Sequence, residues 1–282
     1  MPFTTLISVA QLRGRMADPD LVVLDARFTL DDESWGNRVF AEGHIPGAQR
    51  ADLSDDMAGE IVPGVTGRRP FPNAHDFIER VRAWGIDDET QVVVYDADGG
   101  LMAASRLWVM LRWVGHDDVA VLDGGYPAWI ASGGPAVTDV PSPGPGSFTP
   151  RLRPELLADV EDVDRARVSP QTRVFDSRGA EGYHGGGVYH DPVRGHIAGA
   201  GLADRAETMT SEGRFRTATA LREHYAGLIG DQSPSDIIFY CGSGVTAAQN
   251  VLAMTHAGLP GARMYVGSWS EWIVDPERPV EL

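Results

Sequence analysis

The two halves of the chain share four short sequence blocks in the same order, and this repetition constrains the fold more than any other feature. LDAR at residues 24–27 is matched by FDSR at 175–178, GHIPGA at 43–48 by GHIAGA at 195–200, VVVYD at 92–96 by IIFYC at 237–241, and LDGGYPAW at 122–129 by YVGSWSEW at 265–272. The offset between partners drifts by a few residues, as changes in loop length would produce. Because the units are long and only two in number, the pattern predicts two copies of one domain rather than a solenoid.

A segment rich in proline and glycine separates the two copies. Residues 138–150 contain four prolines and two glycines, which disfavour helices and strands and are typical of a linker. We therefore expect an N-terminal domain at residues 1–137, a linker at 138–150 and a C-terminal domain at 151–282.

Within each copy, short β-branched runs alternate with helical patterns. Strands are predicted at residues 21–24, 91–95, 119–122, 173–175, 236–240 and 262–266, and helices at 74–84, 102–113, 126–132, 156–166, 218–228 and 246–257. This alternation predicts an α/β fold in which each domain has a mostly parallel sheet flanked by helices.

The single cysteine, Cys241, follows an apolar strand-like run and precedes a Gly-Ser-Gly turn and a helical pattern. A thiol there meets the N–H groups of a strand-to-helix turn and a helix N-terminus, which favour the thiolate. A free cysteine is most often a small buried hydrophobic residue, but its counterpart in the first copy is Asp96, which is a poor core residue. We therefore predict a catalytic second domain and a non-catalytic first domain.

Composition limits the partners and the compartment. The net charge is -16, and all 24 basic residues are arginine. This acidic balance argues against nucleic acid or an anionic membrane as a partner, and an anionic substrate would need local positive potential. A lone cysteine excludes an internal disulfide and a cysteine-rich zinc site. A reactive thiol, and an opening sequence without a secretory-leader pattern, lead us to expect a cytoplasmic protein.

Taken together, these blocks resemble those of the two-domain sulfurtransferases of the rhodanese superfamily, and CGSGVTA at residues 241–247 is similar to the loop of the 3-mercaptopyruvate sulfurtransferases. The resemblance implies two tandem rhodanese-like domains. It also implies that Cys241 takes a sulfur atom from 3-mercaptopyruvate or thiosulfate, becomes a persulfide, and passes the sulfur to cyanide, a thiol or a protein acceptor. It implies no metal and no organic cofactor.

The resemblance further implies that backbone groups hold the charge of the persulfide, much as an oxyanion hole does. The loop residues expected to bind this anion are Gly242, Gly244, Val245, Thr246 and Ala247. By residue type alone, Thr246 is also a natural helix N-cap, which is a structural role.

The resemblance adds Ser243 and His44 as catalytic residues. By residue type alone, Ser243 could instead stabilise the turn through a side-chain hydrogen bond. His44 and His196 could each hold their loop in place through hydrogen bonds of the imidazole ring. The two Asp-x-Arg blocks are expected to form buried charge-assisted pairs with nearby backbone. These blocks contain Asp25, Arg27, Asp176 and Arg178.

Substrate recognition departs from the family pattern. Gly182 and Tyr189 stand where the family has substrate-binding arginines, which leaves Arg194 as the candidate cation for a substrate carboxylate. The thiosulfate enzymes tend to have basic residues directly after the cysteine, and here those positions are neutral.

Three other functions compete with sulfur transfer by turnover. The altered arginine positions favour a sulfur carrier that serves one protein partner without rapid turnover. A cysteine phosphatase needs an arginine at the sixth position after the cysteine, where this chain has Ala247. A cysteine protease needs a histidine beside the nucleophile, and no local signature places one next to Cys241.

Overall fold

The computed structural model describes residues 1–187 and 190–282. It divides the chain into two compact units, each of which includes a short segment from the other half of the sequence. Unit 1 comprises Met1–Gly59, Pro72–Arg153 and Ser211–Phe215, and unit 2 comprises Glu60–Phe71, Pro154–Thr210 and Arg216–Leu282. The assignment of residues 138–150 as a linker stays a prediction.

Unit 1 is a five-stranded parallel sheet with helices. Its elements are β1 (Leu6–Ile7), α1 (Val9–Arg15), β2 (Leu21–Asp25), α2 (Trp35–Glu42), β3 (Ala48–Arg50), α3 (Ala74–Ala83), β4 (Gln91–Tyr95), α4 (Ala103–Trp113), β5 (Val119–Leu122) and α5 (Gly125–Ala131). The strand order is β1-β5-β4-β2-β3, and every pair is parallel. The central strand β4 is buried along its whole length, as expected when helices cover both faces.

Unit 2 has the same architecture. Its elements are β6 (Leu157–Ala158), α6 (Val160–Ala166), β7 (Arg173–Asp176), α7 (Ala180–Tyr183), β8 (His196–Ile197), β9 (Gly201–Leu202), α8 (Ala218–Ile229), β10 (Ile237–Tyr240), α9 (Ala247–His256), β11 (Arg263–Tyr265), α10 (Ser268–Trp272) and β12 (Val280–Glu281). The parallel sheet has the order β6-β11-β10-β7-β9, and β12 pairs with β8 antiparallel. Asp96 and Cys241 therefore directly follow the central strands of their sheets, and the predicted fold class is confirmed.

One predicted helix, at residues 156–166, is wrong in its first turn. Residues 157 and 158 form β6, which pairs with β11. The helix begins only after Asp159, whose side chain accepts the N–H of Asp162 in a capping box. Pairing at the sheet edge and the N-cap together override the helical pattern. In the part of the chain that the structure describes, no helix combines the length and the apolar character needed to cross a bilayer.

Candidate active site at the Cys241 loop

Cys241 lies at the carboxyl end of the central strand β10, and its side chain is buried, with 2% of the residue exposed. The start of α10 fixes the first two peptide groups of the loop. The carbonyl oxygen of Cys241 accepts the N–H of Trp269 at 3.0 Å, and that of Gly242 accepts the N–H of Ser270 at 2.9 Å. Ligands bind at this edge of open α/β sheets, so the sulfur occupies a suitable place for chemistry.

Hydrogen-bond donors of the loop stabilise the Cys241 thiolate. Burial raises the pKa of the thiol, but the Thr246 hydroxyl and the N–H groups of Ala247, Ser243 and Thr246 outweigh it and hold the pKa below its usual range. Thr246 occupies the N-cap position of α9, yet its side chain makes no capping bond. Thr246 is therefore at the predicted N-cap position but does not make the capping bond, and its hydroxyl instead helps to lower the pKa of Cys241.

Gly244 gives the loop its tight shape. Its φ angle is +74°, which lies in the left-handed region that side chains rarely adopt. A Cβ at this position would overlap the carbonyl oxygen of Val266. Only glycine lets the loop turn here and bring its N–H groups to the sulfur.

Ser268 is a site residue that the sequence reasoning did not identify. Its Oγ accepts the N–H of Cys241 at 3.1 Å, donates to the carbonyl oxygen of Tyr265 at 2.9 Å, and lies 3.9 Å from the Cys241 sulfur. Its φ angle is +54°, and the matching position of the first copy, Gly125, has +58°. The alignment of Gly125 with Ser268 in the matched blocks was the sequence signal for this residue. A serine at a position that favours glycine is strained, and strained non-glycine residues cluster at functional sites.

In unit 1, the loop after the central strand surrounds the carboxylate of Asp96, which occupies the position of Cys241. The fully buried Asp96 accepts the N–H groups of Asp98 at 3.0 Å, Gly100 at 2.7 Å, Met102 at 3.2 Å and Ala104 at 3.3 Å. Burial raises the pKa of Asp96 to about 6, so the group is mostly ionised at neutral pH. In both units, therefore, backbone N–H groups after the central strand surround an anion.

The two predicted histidines lie in closely similar surroundings, each in its own unit. His44 is fully buried, stacks on Phe40, and has its ring nitrogens 2.8 Å from the Phe40 carbonyl oxygen and 3.1 Å from that of Asp139. His196 stacks on Tyr183 and has Nδ1 3.0 Å from the Tyr183 carbonyl oxygen. These contacts support the structural interpretation of His196, whereas an acid–base role for His44 stays a prediction.

The Asp-x-Arg pairs are confirmed as charge-assisted contacts, buried in unit 1 and partly buried in unit 2. Arg27 donates through Nε to Asp25 at 2.8 Å and through Nη2 to the Gly43 carbonyl oxygen at 2.7 Å. In unit 2, Arg178 donates through Nε to Asp176 at 3.0 Å and through Nη2 to the carbonyl oxygen of Gly195 at 2.7 Å. In each unit this arrangement fixes the loop that contains the histidine.

The candidate substrate-binding positions differ in what surrounds them. Gly182 lies in α7, and among the described residues a Cβ there would meet the Arg178 side chain, in ordinary contact at 3.5 Å or more. Arg194 is exposed, in the segment before β8. Tyr189 lies outside the described residues. The sequence reasoning also missed Arg68, which lies in unit 2 beside Gly242.

We expect that replacing Thr246 with valine will weaken the thiolate. The Thr246→Val side chain has nearly the same shape but cannot donate to the sulfur, so the pKa of Cys241 should rise towards its usual range. The rate of alkylation by iodoacetamide follows the thiolate fraction. Its pH profile should therefore move to higher pH, with a several-fold slower reaction on the acidic side. Thr246→Ser keeps the hydroxyl and should retain the wild-type profile; an unchanged profile in the valine variant would contradict the assignment.

Comparison with known proteins agrees with this geometry. The sequence model of the family described as "rhodanese-like domain" matches this chain twice, at residues 8–132 and 159–275. The chain is 41% identical to a probable 3-mercaptopyruvate sulfurtransferase of Pseudomonas aeruginosa, over 99% of each chain. It is 35% identical to SseB of Mycobacterium tuberculosis, a putative thiosulfate sulfurtransferase, over 98% of this chain and 96% of the relative. The structure of 3-mercaptopyruvate sulfurtransferase from Leishmania major superposes with a TM-score of 0.85 at 28% identity, covering 95% of this chain and 74% of that one. The chain belongs to the rhodanese family and contains two rhodanese-like domains.

Proposed function

We propose that this protein is a sulfurtransferase that moves one sulfur atom from a small donor to a thiophilic acceptor through a persulfide on Cys241. One observation carries the proposal: the chain's only cysteine is buried, and a hydroxyl and three N–H groups stabilise its thiolate. The names of the relatives, which include 3-mercaptopyruvate and thiosulfate sulfurtransferases, support the same reaction class.

The reaction balances without a redox partner. The Cys241 thiolate attacks the donor sulfur, and a new S–S bond forms as the donor's bond to that sulfur breaks. The rest of the donor leaves with the electron pair, as the enolate of pyruvate from 3-mercaptopyruvate or as sulfite from thiosulfate. A thiol or cyanide then attacks the outer sulfur and regenerates the thiolate. The proposal requires no metal or organic cofactor.

Asp96 shows what kind of group such a loop accommodates. The carboxylate oxygens of Asp96 lie two bonds beyond Cβ, which is the position that the outer sulfur of a cysteine persulfide would take. In unit 1 these oxygens accept four N–H groups. We infer that the loop at Cys241 holds the anionic outer sulfur in the same way, with Gly242, Gly244 and Val245 shaping the turn.

Several finer assignments are part of the proposal. We propose that the halves are copies of one ancestral domain, that the domain at residues 1–137 is non-catalytic in the sense that it provides no nucleophile, and that the protein acts in the cytoplasm, where a reactive thiol stays reduced. The Ser243 hydroxyl is proposed to assist proton transfer in the loop. Acid–base catalysis by His44 requires its ring nitrogens to leave two backbone carbonyl oxygens.

Steady-state kinetics with 3-mercaptopyruvate and with thiosulfate, each paired with cyanide or a thiol, test the proposal. Because the sulfur is transferred in two separate steps, we expect ping-pong kinetics with parallel double-reciprocal lines. Intersecting lines would contradict a covalent intermediate. If neither donor is turned over but one equivalent of persulfide forms on Cys241, the protein is a sulfur carrier. The glycine at residue 182, where the family has an arginine, favours this alternative.

A further inference from the structure

We propose that Trp269 is a positioning residue, which fixes residues 191–195 relative to Cys241 and so sets the alignment of the sulfur donor with the thiolate. This inference deepens the function proposed above and rests on it for the reaction that is measured. Trp269 is fully buried in α10, and none of the steps proposed above involves its side chain.

The backbone and the side chain of Trp269 are hydrogen-bonded to two different parts of unit 2. Its backbone N–H donates to the carbonyl oxygen of Cys241 at 3.0 Å. Its indole N–H donates to the carbonyl oxygen of Val193 at 3.2 Å, which satisfies the one polar group of a buried tryptophan side chain. One residue therefore connects the nucleophile to the segment that precedes β8.

A second bond fixes the same segment two residues later. Arg178 donates through Nη2 to the carbonyl oxygen of Gly195 at 2.7 Å. The guanidinium carbon of Arg178 lies 5.2 Å from the centre of the Trp269 ring, which is within the range of a cation–π contact. The carbonyl groups of the residues on both sides of Arg194 are therefore held by Trp269 and by the arginine that packs on its ring.

The anchored segment borders the cysteine loop. At its start, Arg68 donates through Nε and Nη2 to the two carboxylate oxygens of Asp191, each at 2.9 Å. A Cβ on Gly242 would lie 3.5 Å from Nη2 of this arginine. A donor at the cysteine loop therefore lies next to residues 191–195, and a shift of these residues would disturb the alignment of the reacting atoms, to which rates are very sensitive.

The two units differ at the position of Trp269. The matching residue of the first copy is Tyr126, whose backbone N–H donates to the carbonyl oxygen of Asp96 at 2.9 Å. The guanidinium carbon of Arg27 lies 4.1 Å from the centre of the Tyr126 ring. The backbone contact and the cation are thus the same in both units, but tyrosine has no indole N–H. The bond to the segment before the histidine is therefore a property of the unit that contains the cysteine.

The segment before the histidine also has less support of its own in unit 2. In unit 1 it is the eight-residue helix α2, and the N–H of Gly43 continues the helical bonding by donating to the carbonyl oxygen of Val39 at 3.1 Å. The corresponding helix of unit 2, α7, has four residues and ends at Tyr183. Residues 191–195 therefore lie beyond the helix, and the indole bond of Trp269 supplies an anchor that the backbone does not.

The two half-reactions of sulfur transfer test this role, because in ping-pong kinetics each kcat/KM reports one of them. Trp269→Phe removes the indole N–H and keeps an aromatic ring beside Arg178. We expect it to lower kcat/KM for 3-mercaptopyruvate by about tenfold. The value for cyanide should stay within about twofold, since this small acceptor needs little alignment. An equal fall of both values would overturn the proposal, because Trp269 would then only support the cysteine loop.

Trp129 provides the matched control in unit 1. It is 1% exposed, and its indole N–H donates to the carbonyl oxygen of Pro135 at 2.9 Å. Trp129→Phe therefore removes the same donor from the same kind of surroundings. We expect a fall in melting temperature similar to that of Trp269→Phe, with both kcat/KM values unchanged. An equal loss of donor kcat/KM in the two phenylalanine variants would count against a specific role for Trp269.

An isosteric replacement keeps the test valid if Trp269→Phe does not fold. Benzothienylalanine incorporated at residue 269 has nearly the shape of tryptophan, but a sulfur atom replaces the indole N–H. It should leave the melting temperature close to that of the wild type and reproduce the selective fall in donor kcat/KM. Wild-type kinetics with this residue in place would overturn the proposal.

Hydrogen–deuterium exchange measures the anchoring without sulfur transfer. The peptide that spans residues 190–196 should exchange about tenfold faster in Trp269→Phe than in the wild type or in Trp129→Phe. If the wild-type protein transfers no sulfur but this difference is present, the proposed function fails and the anchoring by Trp269 stands. If it transfers sulfur but exchange and donor kcat/KM are the same in Trp269→Phe and Trp129→Phe, only the role of Trp269 fails.

Discussion

Replacing Cys241 with serine should lower kcat/KM for sulfur transfer by at least about a thousandfold, with either 3-mercaptopyruvate or thiosulfate as donor. A serine hydroxyl is not ionised at neutral pH, and it cannot form a persulfide. No other thiol in the chain can replace it, since Cys241 is the only cysteine. The measurement is the initial rate of thiocyanate formation from cyanide, at matched protein concentrations.

The fold should survive this substitution, and this makes the result interpretable. Serine is close to cysteine in volume, and its hydroxyl can accept hydrogen bonds from Thr246 and the loop N–H groups that surround the sulfur. We therefore expect thermal unfolding close to that of the wild type. Sulfur transfer by a folded Cys241→Ser protein at the wild-type rate would contradict the proposed mechanism.

The second large effect is expected at Gly244, which touches no substrate in the proposed mechanism. Gly244→Ala places a Cβ against the Val266 carbonyl oxygen at a φ angle of +74°. The loop must shift to relieve the overlap, which moves the N–H groups of Thr246 and Ala247 away from the sulfur. Displacement of this kind costs about a hundredfold in kcat/KM, and the left-handed backbone adds about 1–2 kcal/mol of destabilisation.

A matched substitution two residues earlier provides the control. Within the described part of the chain, a Cβ on Gly242 would meet only Arg68, at 3.5 Å, which is ordinary van der Waals contact. Gly242→Ala should therefore keep the stability of the wild type and lose at most a few-fold in kcat/KM. Equal activity of the two alanine variants would mean that the loop geometry does not govern the reaction. Circular dichroism at increasing temperature, alongside the kinetics, separates loss of fold from loss of chemistry.

The strands that the sequence predicts correctly are those in which the local pattern of residue types agrees with burial in the sheet. The β-branched runs at Gln91–Tyr95 and Ile237–Tyr240 are the central strands of their sheets, and the matched blocks identified them together. The short edge strands were missed because two residues such as Leu157 and Ala158 have no period of their own. Their pairing depends on neighbouring strands that are distant in sequence.

The site residues that were missed depend on tertiary geometry. Thr246 looks like a helix N-cap from its position, and only the three-dimensional turn directs its hydroxyl at Cys241. Ser268 follows a glycine in a recognisable block, but its contact with the cysteine N–H is set by the approach of α10 to β10. Arg68 is 173 residues from Cys241 in the sequence, and no periodicity connects them.

The persulfide on Cys241 is the central intermediate, and mass spectrometry of the intact protein after a single turnover measures it directly. The protein is mixed with 3-mercaptopyruvate without an acceptor, desalted, and digested to locate the modification. We expect the mass to increase by one sulfur atom, located on Cys241, and the added sulfur to be lost when cyanide is supplied. The Cys241→Ser variant should gain nothing. Release of pyruvate by the wild-type protein with no sulfur retained on Cys241 would contradict the mechanism.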